Sequence, residues 1–279
     1  MWQPSNVSSR HESRGEDAGT SSGTKPANTS ANVKGSWVDL GAATGFAYEA
    51  FTVCVHSEGD ASPVVADFML DLGISDGSNR AIIVADLHCA FAKAIREQGL
   101  QIYIPVHVPA GAQLSARVAS SVAAEALALV VIGHASGLGG APGFSRCVAL
   151  FTPRSSRGIN VDPGGSANTK SGWTEITSSC PENIGAMFGL VGYDGDVSRA
   201  ASASMLIDIG IGAASSEFVL YPNASIHWGA VKDGPSNCPR IPVFACNVPK
   251  TTRIAARAQC LHATDSDRDI DLALYGLVP

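Results

Sequence analysis

Phe68-Met69-Leu70-Asp71-Leu72-Gly73-Ile74 is repeated almost residue for residue 137 positions later as Met205-Leu206-Ile207-Asp208-Ile209-Gly210-Ile211. In each copy apolar residues alternate with others, the period of a half-buried β-strand, and each carries the same Asp-x-Gly. The spacing holds elsewhere. Ser30-Ala31-Asn32-Val33-Lys34-Gly35-Ser36-Trp37 returns at an offset of 136 as Ser166-Ala167-Asn168-Thr169-Lys170-Ser171-Gly172-Trp173, and Ile104-Pro105-Val106 returns at 137 as Ile241-Pro242-Val243. Pro109 with Leu114-Ser115-Ala116-Arg117 matches Pro249 with Ile254-Ala255-Ala256-Arg257 at 140, so one turn has gained three residues, and Gly133 matches Gly276. Self-similarity at a fixed period decides architecture before any local signal does. The expectation is an internal duplication of one domain of about 100 residues, a common domain size.

With 45% hydrophobic and 16% charged residues, the chain has material for two cores and the composition of a globular protein. Its 29 glycines and 15 prolines, set among short alternating runs, point to an all-β architecture with frequent turns. The net charge of -6 and the scattered placement of 19 basic residues argue against nucleic acid, which calls for clustered Lys and Arg. No apolar run reaches the roughly 18 to 20 residues of a membrane span, and Met1-Trp2-Gln3-Pro4 does not open a secretory leader. The seven cysteines, Cys54, Cys89, Cys147, Cys180, Cys238, Cys246 and Cys260, form no CxxC pair, and the repeats share none of them. A disulfide or zinc site of the ancestral domain would have been copied with it, so free thiols in a reducing compartment are expected. A metal site from Cys260 and His262 with Cys238 or Cys246 has no ligand spacing behind it.

Along the chain, residues 1–34 read as a flexible Ser/Gly/Thr/Asn-rich arm, too poor in apolar residues to offset its ordering entropy and expected to order only against neighbouring subunits. Its Gly19-Thr20-Ser21-Ser22-Gly23 fits GxSxG, but no buried strand precedes it and no helix follows. Residues 35–134 form the first repeat, 135–170 a long linker, and 171–279 the second repeat. Strands are expected at Phe51–Val55, Phe68–Ile74, Ala81–Ala85 and Ile102–Val108, where Pro105 implies an edge or a bulge. Leu87–Gln98 and Ala116–Val131 have helical composition. Their counterparts do not, so the first is read as a loop with at most a helical turn and the second as a strand. The glycines at 137–143 fail the GxGxxG spacing, and the linker is long enough to be packed along a surface.

The search for chemistry finds no catalytic, cofactor-binding or metal-ligating set, and no cofactor is expected. HExxH, Walker A and HxE…PCxxC patterns are missing, and His56, His88, His107, His134, His227 and His262 have no histidine at the matching repeat position. The residues that do repeat read as structural positions: Trp37 and Trp173, Asp71 and Asp208, Gly73 and Gly210, Pro105 and Pro242, Pro109 and Pro249, Arg117 and Arg257. The tryptophans would seal a core or anchor the incoming chain. The aspartates would close strand ends by accepting backbone N–H groups, and the arginines would lie on a solvated or inter-subunit face. Asp265, Asp267, Asp269 and Asp271 alternate, yet a strand face splays carboxylates in a row where calcium needs six to eight converging oxygens.

The recurring Ile-Asp-Ile-Gly-Ile strand, then Ile-Pro-Val, then Val-Pro-Lys-Thr-Thr-Arg-Ile-Ala-Ala-Arg (248–257) and the closing Leu-Ala-Leu-Tyr-Gly (272–276) resemble a β-sandwich (jelly-roll-like) domain of structural proteins in tailed bacteriophage virions. The resemblance covers both repeats and leaves out the arm and linker. The first repeat departs from it at Val108-Pro109-Ala110-Gly111-Ala112. It implies two tandem sandwich domains in a non-enzymatic component of the head exterior, tail, baseplate or fibre attachment, located in the virion and assembled in the host cytoplasm. The partners it implies are further copies of the chain, as a homotrimer or ring, and other virion proteins, with no nucleic acid and no membrane. The alternative is a carbohydrate- or receptor-binding module, disfavoured because aromatics are only 6% and sugar sites need aromatic platforms.

Overall fold

A computed structural model describes residues 11–17, 22–57, 67–75, 79–90, 100–135, 143–151, 158–193, 203–228, 240–261 and 269–279. Among them there is no helix. The strands are β1 His11–Arg14, β2 Glu16–Asp17, β3 Ser22–Gly23, β4 Val38–Asp39, β5 Ala50–Ser57, β6 Asp67–Ser75, β7 Arg80–Ala90, β8 Leu100–Ile104, β9 Gln113–Ser120 and β10 Leu127–His134. They continue with β11 Arg146–Ala149, β12 Ile159–Val161, β13 Thr174–Thr177, β14 Ile184–Tyr193, β15 Ala203–Ile211, β16 Phe218–Trp228, β17 Arg240–Val248, β18 Ile254–Cys260 and β19 Ile270–Val278. The protein is all-β, of the β-sandwich, jelly-roll-like class.

Three main sheets form: β1-β10-β5-β8, β13-β18-β15-β16, and a long sheet in the order β17-β14-β19-β11-β7-β6-β9-β4, with β12 also pairing β19. The long sheet holds two runs of strands, β4-β9-β6-β7 from the first half and β11-β19-β14-β17 from the second. They meet where β11 runs parallel to β7 with Cys147 opposite Val84. Tyr275 of β19 crosses the same seam. Its hydroxyl donates to the Asp86 carbonyl at 2.9 Å and accepts from the His88 N–H at 2.7 Å, while its ring stacks on Phe188 and meets Phe151 edge-on. One buried apolar cluster therefore runs through both halves rather than dividing into two separate cores.

Alternation explains the strands, and the bulges explain their ends. In β6, Phe68, Leu70 and Leu72 are buried, and the register against β7 slips on either side of Leu72. In β15, Met205, Ile207 and Ile209 are buried, and the register against β16 slips on either side of Ile209. An extra residue on one strand bends it and frees it locally from its ladder.

Several expectations are corrected. The stretch 116–131 is not one strand: β9 ends at Ser120, a turn carrying Ala124 at φ 61° follows, and β10 begins at Leu127 in a different sheet. The short strand expected at Ala81–Ala85 runs from Arg80 to Ala90 and takes in the start of the expected loop, while 91–98, the rest of that loop, lies outside the described residues. The segment 135–170 is no simple linker, since it supplies β11 and β12 to the long sheet. Pro105 follows β8, which is an edge strand, and Pro242 sits in the edge strand β17, where a missing N–H is tolerated.

The arm is corrected too. From His11 onward it docks on the chain's own first half: β1 pairs with β10, Thr24 and Ala27 bridge to Leu129 and Ala126, and the Asn28 side chain is buried between Ser30, Ser120 and Val122. Glu12 fixes β1 by accepting from the Tyr48 hydroxyl at 2.8 Å and the Gly45 N–H at 3.0 Å, with Arg14 at its other side. Those bonds hold its carboxyl below the usual range although burial pulls the other way. Removing residues 1–28 is therefore expected to destabilise the isolated protein by about 2–4 kcal/mol, the cost of stripping several buried hydrogen bonds and their partners. A thermal melt unchanged by the deletion would contradict this.

Candidate functional site

The repeated residues converge on two clusters. In the first, Asp71 lies mid-strand in β6, not at a strand end, and its side chain is 4% exposed. Its Oδ1 accepts from Lys34 Nζ at 2.7 Å and from the Asp86 N–H at 2.9 Å, and its Oδ2 accepts from Arg117 Nε at 2.8 Å. Lys34 also donates to the Met69 carbonyl at 2.9 Å and pairs with the Asp86 carboxylate. The Arg117 guanidinium sits over the Trp37 ring at 4.6 Å and Arg80 lies over it at 5.0 Å, a cation–π arrangement. Gly73 leaves room for that ring, since a Cβ there would come within 3.1 Å of it.

In the second cluster, Asp208 Oδ1 accepts from Lys170 Nζ at 2.8 Å and the Asn223 N–H at 2.9 Å, and Oδ2 accepts from Arg257 Nε at 2.9 Å. Lys170 reaches the Leu206 carbonyl at 3.0 Å, and Arg257 lies over Trp173 at 4.5 Å. A Cβ on Gly210 would lie 2.6 Å from the Trp173 ring. The donors at the bulge, Asp86 and Asn223, take φ of 52° and 55°, a left-handed conformation that Asp and Asn adopt more readily than most residues. Burial works against the charge on Asp208, but Lys170, the Asn223 N–H and Arg257 outweigh it and hold its pKa below the ordinary 3.8.

Each carboxylate has two cations and a backbone donor, so neither is free to act as a base or nucleophile. The arrangement ties β6 (or β15) to its two neighbours and to the segment that brings in the tryptophan. Arg117 and Arg257, expected on a solvated or inter-subunit face, are stacked on the tryptophans and paired with the aspartates. Pro109 and Pro249 open matching turns, with N–H groups of Ala112 and Thr252 returning to their carbonyls and with Gly111 and Thr251 at φ of 78° and 70°. Lys34 and Lys170 were missed as site residues, although both stand in the repeated Ser30–Trp37 block.

Away from the clusters, His11 Nδ1 and His134 Nδ1 lie 2.8 Å apart, and His134 Nε2 meets the Thr52 hydroxyl at 2.9 Å. Burial first, and the charge on His11 second, push His134 below the ordinary 6.5. A histidine depressed in the folded state contributes stability that is present above pH about 6.5 and lost as pH falls below it. Docking of β1 should loosen in that window. Amide protection at residues 11–17, measured against the intrinsic exchange rate at each pH, should fall between pH 7 and 5 more than at β6, and the difference should shrink in His134→Gln. An equal change in both strands would contradict it.

Cys54, Cys147, Cys180, Cys246 and Cys260 are free thiols, and burial pushes Cys246 up to about 11. Cys238 and His262 of the considered metal set lie outside the described residues, as do Asp265 and Asp267; Asp269 accepts from Asn160 at 3.3 Å and Asp271 is buried. Among the described residues no group of three or more His, Cys, Asp or Glu is placed to hold a metal. A cleft of about 320 Å³ lies between the β6–β7 end and the Pro109 turn; its one charged lining residue, Arg80, is engaged by Asp39 and Trp37.

No protein-family model matches the chain, and no curated protein does either. Solved structures do match in fold. PNGase F, a glycosylasparaginase from Flavobacterium meningosepticum, aligns over 96% of both chains at 12% identity with a TM-score of 0.39. The N-terminal CBM22-1-CBM22-2 tandem domain of Paenibacillus barcinonensis Xyn10C aligns over 98% of this chain and 92% of its own, at 11% identity and a TM-score of 0.27. The STIV MCP, one of several viral capsid jelly-roll proteins found, aligns over 97% of both chains at 8% identity and a TM-score of 0.35. These are likenesses of fold, and no activity is read from them. The expectation that the chain is not an enzyme is corrected: the solved structures that match include PNGase F, an enzyme, aligned over 96% of both chains.

Proposed function

We propose that the chain is a tandem duplication of one sandwich domain that serves as a structural subunit of a bacteriophage virion, working through contacts with copies of itself and with other virion proteins. The observation that supports this reading is the edge-to-edge joint between β11 and β7. One half of the chain already adds its strands to the sheet of the other, the kind of contact an assembly repeats. Strand order favours the duplication: β4-β9-β6-β7 in the first half corresponds to β13-β18-β15-β16 in the second, and β1-β10-β5-β8 to β11-β19-β14-β17. The two Asp-Lys-Arg-Trp clusters fall at the same place in that order. A closed ring of three chains, with six like domains around a pseudo-sixfold axis, is the arrangement this reading favours.

A glycan-binding module on the same fold is disfavoured because cations lie over both repeated tryptophan rings. Sedimentation velocity on the purified chain tests the proposal. A species of three chains' mass is expected. A monomer at every concentration would overturn it, and binding on a glycan array would then favour the module.

A further inference from the structure

The β11–β7 joint uses one edge from each half, which leaves the matching edge of the other half unused in each case. On strand order, β1 stands to its sheet as β11 does to its own. Glu12 faces Gly133 and His11 faces His134, just as Val148 faces Gly276 and Cys147 faces Leu277. Likewise β16 stands to β15 as β7 does to β6: Tyr221 faces Ile209 and Ala224 faces Ile207, where Val84 faces Leu72 and Leu87 faces Leu70. Among the described residues, β1 and β16 are the outermost strands of their sheets.

The two ends differ in burial as an unfilled joint would. In β7, the strand that β11 joins, Ile83 is 3% and His88 5% exposed. Their counterparts in β16, Leu220 and Ser225, are half-buried and exposed, and Phe218 at the strand's start is 69% exposed. The eleven residues of β16, Phe218-Val219-Leu220-Tyr221-Pro222-Asn223-Ala224-Ser225-Ile226-His227-Trp228, include no Asp, Glu, Lys or Arg. Edge strands are ordinarily protected by such charges, and a long uncharged edge is a template for pairing. Pro222, at the position of Ala85, has no N–H to donate and so limits the pairable stretch to 218–221. The β7 strand is likewise joined to β11 only up to Val84, just before its bulge.

We propose that β1 of one copy of the chain pairs in parallel with β16 of the next, with His11 opposite Tyr221, repeating between chains the contact that β11 and β7 make within each. The proposal rests on the assembly reading above and names the surface that carries it. Head-to-tail pairing of this kind propagates, and closes into a ring when the rotation per chain allows it. The inter-chain joint has no equivalent of the Tyr275 hydroxyl bridge, since Ile132 stands at that place opposite Ser13. It is therefore the weaker and reversible one of the two.

The test uses the full chain with p-benzoylphenylalanine at position 218, mixed as light and 15N-labelled protein and irradiated. Crosslinks between a light and a heavy copy, joining position 218 to the peptide containing His11–Arg14, are expected. Phe218→Asp should weaken self-association about tenfold or more while leaving the thermal midpoint of the dilute monomer unchanged, because that side chain is exposed in the single chain. A stable oligomer crosslinked from 218 to any other segment, including β16 of its neighbour, overturns this contact and leaves the assembly reading standing. A protein that remains monomeric and uncrosslinked overturns both.

Discussion

Asp208→Ala should lower stability by about 3–4 kcal/mol, and Asp71→Ala by less, about 2–3 kcal/mol. Removing one partner from a largely buried ion pair leaves its cations uncompensated, which costs far more than the pair itself contributes. In the second cluster Lys170 and Arg257, whose side chains are 17% and 29% exposed, would lose their carboxylate together, and the Asn223 N–H would lose its acceptor. In the first cluster Lys34 would still have the Asp86 carboxylate at 2.9 Å, so part of the charge stays balanced. Urea denaturation of the two variants against the parent measures the difference. The same physics predicts an acid limb. A carboxyl held below 3.8 contributes stability that is complete above that pH and is lost as pH falls through its lower folded value, and Asp208→Asn should flatten this part of the curve. Equal losses at the two sites would show that Asp86 does not share the load.

Gly133→Ala should be strongly destabilising. A Cβ at Gly133 would lie 2.3 Å from Cζ of Tyr48, a side chain with no exposed surface whose hydroxyl is held by Glu12. The ring has nowhere to go, so the strand β10 must shift, with a loss of about 3 kcal/mol, at the upper end of what overpacking costs. At the matching position, a Cβ on Gly276 would lie 2.5 Å from Ile184 Cδ1, the tip of an aliphatic side chain rather than a rigid ring. Gly276→Ala should therefore cost about 1 kcal/mol. Thermal melts of the two variants check the ranking, and a larger loss for Gly276→Ala would mean that Ile184 is less free than its surroundings imply.

The sequence was informative wherever alternation and repetition agreed. The Phe68–Ile74 and Met205–Ile211 runs became β6 and β15, and the repeated Trp, Asp, Gly and Arg mark the two clusters. It was silent on partners that are set by topology. Nothing local to Arg117 says that Asp71 faces it across a sheet, and Lys34 donates to a carboxylate 37 positions away. The single strand expected over 116–131 failed because the turn at 121–126 contains neither Gly nor Pro; Ala124 carries the left-handed conformation instead. The arm failed for another reason. Polar residues such as Glu12 and Asn28 cannot form a core, but they can complete hydrogen bonds that the first half leaves open, and composition does not reveal such acceptors. Residues 135–170 read as a connection because their apolar runs are short, and only the pairing of β11 with β19 and β7 and of β12 with β19 ties the segment to the sheet.

Electron cryo-microscopy of the assembled full chain tests the central claim most directly. The account predicts that each chain contributes two superposable sandwiches, with Asp71 on Asp208 and Arg117 on Arg257, and that neighbouring chains meet where β1 and β16 lie. A map in which the two halves have different strand orders, or in which each chain stands as an isolated copy with both edges in solvent, would contradict it.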